Sequence, residues 1–176
     1  KKSLEWFMGS ELYTPVSDED IERLRVGDRV YISGYILCGR DAVLPKVVKM
    51  LGDGRIKELG ISLQGQVVFH TALSPAGVGP TSSNKLEIEN SIEPLSYAGV
   101  KIHLGKGKLH KETIEALDQC HAVYAVIPPI TALLGEKTSE EKVIAFPKLG
   151  MEALHMIKVC KYPAIIGAAH GRSIYE

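Results

Sequence analysis

The order of apolar and polar positions along the chain predicts short strands that alternate with helices. Polar and apolar residues alternate over Arg29–Ser33, the period-two pattern of a strand with one buried face. Apolar runs of similar length recur and predict further strands at Val67–His70, Val100–Leu104, Ala122–Val126, Val143–Phe146 and Ala164–Gly167. Strands separated by helical patterns favour an α/β domain with at least some parallel pairing.

Helices are predicted between these strands. Ser17 is the expected N-cap of a short helix with an acidic first turn, which Gly27 follows. Pro45 fits the first turn of the next helix, and Asp41 is the expected cap of that helix. The remaining predicted helices are Lys85–Tyr97, which Pro94 is expected to end or kink, Lys111–Gln119 and Gly150–Lys158.

Length and charge restrict the class of protein. The 176 residues, 45% of them apolar, suit a single domain covering positions 1–176. Lys plus Arg and Asp plus Glu number 21 each, so no net field favours nucleic acid or an anionic membrane. The apolar stretch Ala122–Ile130 is shorter than the ~20 residues of a membrane helix. Because the start of the sequence lacks the pattern of a secretory signal, we expect a cytoplasmic protein.

The cysteines carry no local metal motif. Cys38, Cys120 and Cys160 are far apart, and no CxxC pair occurs among them. A zinc ribbon or a ferredoxin-type cluster is therefore not encoded locally. We expect each cysteine to be a small buried apolar residue. Convergence of all three on one cluster is the alternative, and no pattern in the sequence favours it.

A loop rich in glycine, proline and hydroxyl residues precedes the predicted helix at Lys85. Thr81, Ser82 and Ser83 lie immediately before the start of this helix. A helix N-terminus offers unpaired N–H groups and about half a positive charge. Together with these hydroxyls and Lys85, it would form an anion cradle. The alternative is an ordinary helix that Ser82 or Ser83 caps, with Lys85 in solvent.

Two other basic residues follow predicted strands. Arg40 lies between an apolar run and Asp41, and its planar guanidinium suits a carboxylate bidentately. Lys106 lies between two glycines at the carboxyl end of a strand, where open α/β sheets bind ligands. The alternatives are a surface arginine and a charged turn. His70 and His103 lie in or beside strands and are expected to be packing residues.

Four segments in order resemble one family: GRD at 39–41, GPTSSNKL at 79–86, LGKG at 104–107 and LGMEALHMIKV at 149–159. They are similar to the β subunit, or C-terminal domain, of class I fumarases and L-tartrate dehydratases. The resemblance spans nearly the whole chain. It implies a swivelling β/β/α domain with a mixed sheet and flanking helices. It also implies a hydro-lyase that adds or removes water across a carbon–carbon double bond of a small dicarboxylate.

The resemblance further implies a cofactor and a partner. Enzymes of this family carry a 4Fe-4S cluster that cysteines of the other half, the α subunit, hold, with one iron open to substrate. This chain is therefore expected to bind no metal and to act only with a cluster-bearing α subunit, in a homodimer or heterotetramer. Fumarate, of the tricarboxylic acid cycle, is the first expected substrate and tartrate the second. A non-catalytic anion-binding swivelling module is the opposing hypothesis.

Residue roles follow from the same resemblance. Arg40 corresponds to an arginine that binds a substrate carboxylate, and Thr81 to a threonine proposed to act in proton transfer at carbon. Lys106 corresponds to the lysine of the KG turn, and Ser82 is a further expected substrate contact. Lys85 stands where the family has an arginine, so it keeps the charge and loses the bidentate fork. The sequence departs from the family pattern at Leu44-Pro45 and at Pro128-Pro129.

Overall fold

The structure is a computed structural model that describes residues 9–74, 77–81, 85–127 and 131–175. It describes the backbone alone at residues 74, 77–81, 85–88 and 131–133. Ser82, Ser83 and the Pro128-Pro129 segment lie outside the described residues. None of the helices in the described part of the chain is long and apolar enough to cross a membrane.

The elements alternate along the chain much as the apolar pattern predicts. The strands are β1 Ser10–Tyr13, β2 Arg29–Cys38, β3 Val67–Phe69, β4 Thr71–Ser74, β5 Gly77–Thr81, β6 Ile102–Gly105, β7 Val123–Val126, β8 Thr138–Ala145, β9 Leu154–Ala169 and β10 Arg172–Ser173. The helices are α1 Asp18–Arg23, α2 Leu44–Gly52, α3 Lys85–Tyr97, α4 Lys111–Gln119 and α5 Thr131–Glu136. Two 3₁₀ helices span Ile56–Leu59 and Pro147–Glu152.

Among the described residues, an eight-stranded mixed sheet holds every strand except the β4–β5 hairpin. Strands β2, β3, β6 and β7 are parallel neighbours in that order. Strand β9 then pairs antiparallel with both β7 and β2. These five strands therefore close into a barrel-like ring. The predicted mixed sheet with flanking helices is confirmed.

The core fills this ring and the space beneath the helices. Phe69 and Tyr162 meet edge to face inside the ring, with their ring centroids 6.1 Å apart. Helix α2 buries Leu44 and Val47 against the outer face of the sheet, and α4 buries Leu117 in the same way. Burial of apolar surface, worth about 25 cal/mol per Å², is the main favourable contribution to this fold.

Local signals at the helix ends predict some caps correctly and others wrongly. Ser17 caps α1, because its hydroxyl accepts the N–H of Asp20 at 3.1 Å, and the Asp20 carboxylate accepts the N–H of Ser17 at 3.1 Å. At α2 the cap position is Val43, so the prediction of an Asp41 cap is wrong. Helix α3 continues through Pro94 to Tyr97, so the proline does not end it, and the alternative of a kink at Pro94 stays a prediction.

The predicted helix at Gly150–Lys158 is wrong. Its first residues belong to a 3₁₀ helix, and β9 occupies the rest. Apolar residues two apart, such as Ile157 and Val159, alternate with outward-facing Lys158. We predicted a helix because the same residues also match a three-to-four spacing. Pairing with β2 on one side and β8 on the other satisfies the backbone of this segment, and this tertiary pairing overrides the local preference.

The cysteines have three different environments. Cys38 is fully buried, Cys120 is half-buried and Cys160 is exposed, and all three are free thiols. Burial raises the pKa of the Cys38 thiol far above its ordinary value. The prediction that every cysteine would be buried is right for Cys38 and wrong for Cys160.

A glycine allows β2 to run further than the predicted Arg29–Ser33. The pairing of β2 with β9 shifts register between Ile32 and Gly34, where Gly34 has a φ of +112°. Residues other than glycine rarely adopt a backbone φ in this range. A Cβ at Gly34 would also lie 2.3 Å from the Oγ1 of Thr14. Gly34 thus lets the strand continue past the bulge with β1 and its following residue close beside it.

We therefore expect Gly34→Ala to lower the free energy of unfolding by roughly 1–3 kcal/mol, through backbone strain and the contact with Thr14. Urea denaturation followed by circular dichroism measures this effect. Gly52→Ala is the matched control, because a Cβ at the end of α2 meets nothing within 4 Å. Its stability should be unchanged or higher by about 0.5–1 kcal/mol. Equal losses in both variants would contradict the role of Gly34.

Candidate functional site

The parallel strands bring the predicted site residues to one edge of the barrel. Because β2, β3, β6 and β7 run in the same direction, their carboxyl ends meet at this edge, which we call the carboxyl edge. Arg40 lies just beyond the end of β2, His70 directly after β3 and Lys106 directly after β6. The structure thus brings Arg40 and Lys106 to the same edge, as sequence reasoning requires.

The hairpin carries Thr81 to the same edge. Thr81 pairs with Thr71 in the β4–β5 ladder, and Thr71 directly follows His70. This pairing places the backbone of Thr81 beside the carboxyl edge, and Lys85 begins α3 four residues later. The side chains of Thr81 and Lys85 are not among those described, and Ser82 lies outside the described residues. The roles of these three residues stay predictions.

The backbone at Arg40 is fixed by the junction of β2 with α2. The carbonyl oxygen of Arg40 accepts the N–H groups of Val43 and Leu44 at 3.1 and 2.9 Å. Gly39 precedes it, and a Cβ there would lie 2.7 Å from the Cγ1 of Val43. The departure from the family pattern at Leu44-Pro45 forms the first turn of α2. Arg40 therefore projects from a tightly packed strand-to-helix turn.

Arg40 forms an ion pair that the sequence did not predict. Its Nε and Nη2 donate to Oε1 of Glu152 at 2.8 and 2.5 Å. Both side chains are 27% exposed, so water shields the pair only in part. The Glu152 carboxylate, which accepts these hydrogen bonds, raises the pKa of the Arg40 guanidinium above its already high value. Arg40 is therefore a positively charged, oriented group at the carboxyl edge.

Glu152 is the last residue of the 3₁₀ helix that precedes β9. This helix packs against β4, the strand that pairs with the strand of Thr81. Oε2 of Glu152 is buried and has no hydrogen-bond partner among the described residues. Glu152 thus contacts Arg40 from a 3₁₀ helix that also packs against β4.

Two buried histidines form a hydrogen-bonded chain behind the edge. His70 Nε2 lies 3.0 Å from His103 Nδ1, and His103 Nε2 lies 2.9 Å from the Ser96 hydroxyl. Burial lowers the pKa of His70 to about 4, and burial together with His70 lowers the pKa of His103 well below the ordinary value. Both rings are neutral at physiological pH. His103 is a satisfied packing residue, as predicted, but His70 Nδ1 is buried with no partner among the described residues.

The loop that carries Lys106 is attached to α3. The buried carboxylate of Glu89 accepts the N–H of His110 at 2.6 Å and also contacts the His110 ring at Nδ1. This pair closes the loop between β6 and α4. At the start of the loop, a Cβ on Gly105 would lie 2.9 Å from the Tyr124 hydroxyl, so a side chain there would require the buried Tyr124 ring to shift. The Lys106 side chain is exposed, so it is accessible to solvent or to a ligand.

The cysteines of this chain do not fit an iron–sulfur cluster. Among the described residues, no group of three or more His, Cys, Asp and Glu side chains could hold a metal ion. Cys38 is in the barrel core, Cys120 caps the end of α4 and Cys160 is exposed on β9.

With this geometry in place, comparison with known proteins identifies the family. The chain belongs to the fumarase C-terminus family, whose model matches residues 8–176. It is 27% identical over 176 residues to the L(+)-tartrate dehydratase subunit beta of Escherichia coli strain K12, covering 93% of this chain and 85% of that protein. It is 26% identical over 155 residues to fumarate hydratase 2 of Leishmania major, covering 84% of this chain and 27% of that protein. The resemblance predicted from the four segments is confirmed.

Sequence reasoning missed the polar partners of the site. Glu152 lies within the segment that we predicted to be a helix, which hid its position beside Arg40. His70 and His103 are 33 residues apart, and Glu89 and His110 are 21 apart. No short motif joins such pairs. Placement of both histidines at the ends of neighbouring predicted strands is the signal that could have found their contact.

The buried histidines predict a specific dependence of stability on pH. The pKa of His70 is about 4 in the folded protein and about 6.5 in an unfolded chain, so the unfolded state binds the proton first. Above pH 6.5, His70 is neutral in both states and has no effect on the free energy of unfolding. As the pH falls from 6.5 towards 4, protonation of the unfolded chain lowers this free energy. When the pH is lowered from 7 to 5, the free energy of unfolding should fall by roughly 2 kcal/mol less in His70→Gln than in wild type. Urea denaturation at each pH measures this.

The comparison at pH 8 serves as the control for this variant. At pH 8 both proteins hold position 70 neutral, so the difference there reports the change in packing alone. This difference is subtracted from the values at lower pH. Parallel stability curves for wild type and His70→Gln from pH 8 to 4 would contradict the assignment of a neutral, buried His70.

Proposed function

We propose that this chain is the β subunit of an iron–sulfur hydro-lyase that reversibly hydrates fumarate to malate in the cytoplasm. In this proposal a cluster-bearing α subunit completes the enzyme, and the barrel is a single swivelling β/β/α domain. The observation that carries the proposal is Arg40, a half-buried and oriented guanidinium at the carboxyl edge of a member of the fumarase C-terminus family. A guanidinium in such a setting is suited to a carboxylate.

Recognition of a small dicarboxylate requires positive charge at both of its ends. Arg40 would bind one carboxylate, and Lys106 or Lys85 would bind the other. This part of the proposal is supported by the exposed position of Lys106 after β6, at the same edge as Arg40. Lys85 is the first residue of α3. The N-terminus of α3 would add its partial positive charge.

Hydration of fumarate adds a hydroxyl to one carbon and a proton to its neighbour. In this proposal Thr81 acts at the carbon that gains or loses the proton, with Ser82 as a further substrate contact. A threonine hydroxyl needs a neighbouring base to act at neutral pH, and the α subunit would supply that base. Arg40 and the lysines would hold the substrate so that this carbon faces Thr81.

L(+)-tartrate is the second candidate substrate. The E. coli relative, which matches 93% of this chain, is named L(+)-tartrate dehydratase subunit beta. Tartrate has the two carboxylates of malate and one additional hydroxyl. The same cationic edge would therefore bind both molecules. The preference between them depends on whether the site provides a hydrogen-bond partner for the additional hydroxyl.

The assembled enzyme tests the proposed function directly. We expect neither this chain nor its α subunit to be active alone, and the anaerobically reconstituted pair to hydrate fumarate. Turnover of fumarate, malate and tartrate by the same preparation measures the substrate preference. Faster dehydration of tartrate than of malate would identify the second candidate. A reconstituted pair that is inactive on all three, or a stoichiometric cluster on this chain alone, would contradict the proposal.

Arg40 variants test the carboxylate contact. Arg40→Ala in the assembled enzyme should cost about 2–5 kcal/mol in kcat/KM, because the substrate carboxylate loses its charged partner in a site that excludes water. Arg40→Lys should recover only part of this loss, since it keeps the charge and lacks the fork. Steady-state kinetics measure both. Arg23→Ala, which removes a 74% exposed arginine of α1 with its own ion pair, is the matched control. Kinetics that agree within error across all variants would remove Arg40 from the site.

A further inference from the structure

The contact between Arg40 and Glu152 has an unusual geometry for an ion pair. Nε and Nη2 of the guanidinium both donate to the same oxygen, Oε1. The second oxygen, Oε2, is buried and has no hydrogen-bond partner among the described residues. The strongest arrangement of these groups is bidentate, with one N–H for each oxygen. A pair retained for stability alone would use both oxygens, because a buried acceptor without a donor is costly.

The single-oxygen contact orients the guanidinium. A guanidinium has five N–H groups in a fixed plane, and Glu152 takes two of them on the Nε edge. This contact fixes the plane and the rotation of the group. The guanidinium of Arg40 therefore has one defined direction relative to the end of β2.

Strand β2, which precedes Arg40, pairs with strand β9, which follows Glu152. Cys38, near the end of β2, pairs with His155 at the start of β9. Leu154 is buried at 1% exposure, and its Cδ1 lies 3.4 Å from the position of a Cβ on Gly39. The segments that carry Arg40 and Glu152 therefore both adjoin the pair formed by Cys38 and His155. Their separation is set by the sheet.

We propose that Glu152 is a positioning residue for the substrate-binding Arg40. It holds the guanidinium in one orientation before the substrate arrives. An arginine that is already ordered loses less conformational freedom on binding. This inference rests on the proposed function. It adds to that function a residue that acts through Arg40.

Glu152 could instead occupy the place of the substrate carboxylate on Arg40. The two arrangements predict opposite kinetic effects. Removal of a positioning residue raises KM, because Arg40 loses its orientation. Removal of a competing carboxylate lowers KM, because the substrate then meets no rival.

Three variants in the assembled enzyme separate these effects. Glu152→Ala should raise KM roughly 10- to 100-fold, as expected for a misplaced binding group, with a smaller change in kcat. Glu152→Asp should resemble it, because the shorter side chain does not reach Arg40. Glu152→Gln should retain most of the wild-type KM, because its amide oxygen can still accept both N–H groups. Glu58→Ala is the control, since it breaks an ion pair of similar type whose partners are 58% and 55% exposed.

A double variant tests whether Glu152 acts through Arg40. In an Arg40→Ala background, the further change Glu152→Ala should alter KM less than about threefold, because the two residues act as one unit. A lower KM in Glu152→Ala, or an undiminished effect of Glu152→Ala in the Arg40→Ala background, overturns the proposal.

A measurement on the chain itself keeps this inference separate from the proposed function. In nitrogen-15 NMR spectra, the Nε–H of Arg40 should exchange slowly with water in wild type and Glu152→Gln, and rapidly in Glu152→Ala. Slow exchange in Glu152→Ala would overturn the positioning role whatever the activity of the complex. Inactivity of the wild-type complex on all three substrates, with the expected exchange rates, would reject the proposed function alone.

Discussion

The carboxyl edge depends on the antiparallel hydrogen bonding of β9 to both β2 and β7. This pairing closes five strands into a ring, so the backbone groups along these strands have partners without reliance on side chains. It also fixes the direction and height of β2, β3 and β6 relative to each other. Arg40, His70 and Lys106 reach one edge because their strands cannot shift independently within a closed sheet.

The same closure separates charged from neutral groups. The His70–His103 pair is buried next to Ser96 of α3, where desolvation keeps both rings neutral. Arg40 and Glu152 lie at the rim with partial access to water, and each compensates the charge of the other. The charged Arg40–Glu152 pair is thus at the rim beside the 3₁₀ helix, while the apolar cluster fills the ring.

Sequence reasoning predicted the alternation of strands and helices because buried faces repeat with fixed periods. Both α3 and α4 have the predicted bounds. It failed where long-range pairing decides the structure, as at Gly150–Lys158. The apolar residues of this segment match both a helical and a strand period, and pairing with β2 and β8 selects the strand. It also missed the β4–β5 hairpin, whose turn-rich sequence shows no strand period.

For the site, isolated motifs predicted the basic residues and omitted their partners. Arg40 and Lys106 were recognisable because glycines and strand ends surround them in the sequence. Glu152 is 112 residues away from Arg40, and no local pattern encodes that contact. Only the register between β2 and β9 brings the two side chains together.

The position of β9 in the chain has a consequence for biosynthesis. Arg29 at the start of β2 pairs with Ile165, which the ribosome adds after every other strand of the ring. A nascent chain grows by about 5–20 residues per second, so β2, β3, β6 and β7 wait for seconds before their ring can close. During that interval the strand edges that β9 will cover are open to other chains. Closure of the barrel, and with it the assembly of the rim, therefore follows the synthesis of β2, β3, β6, β7 and β9.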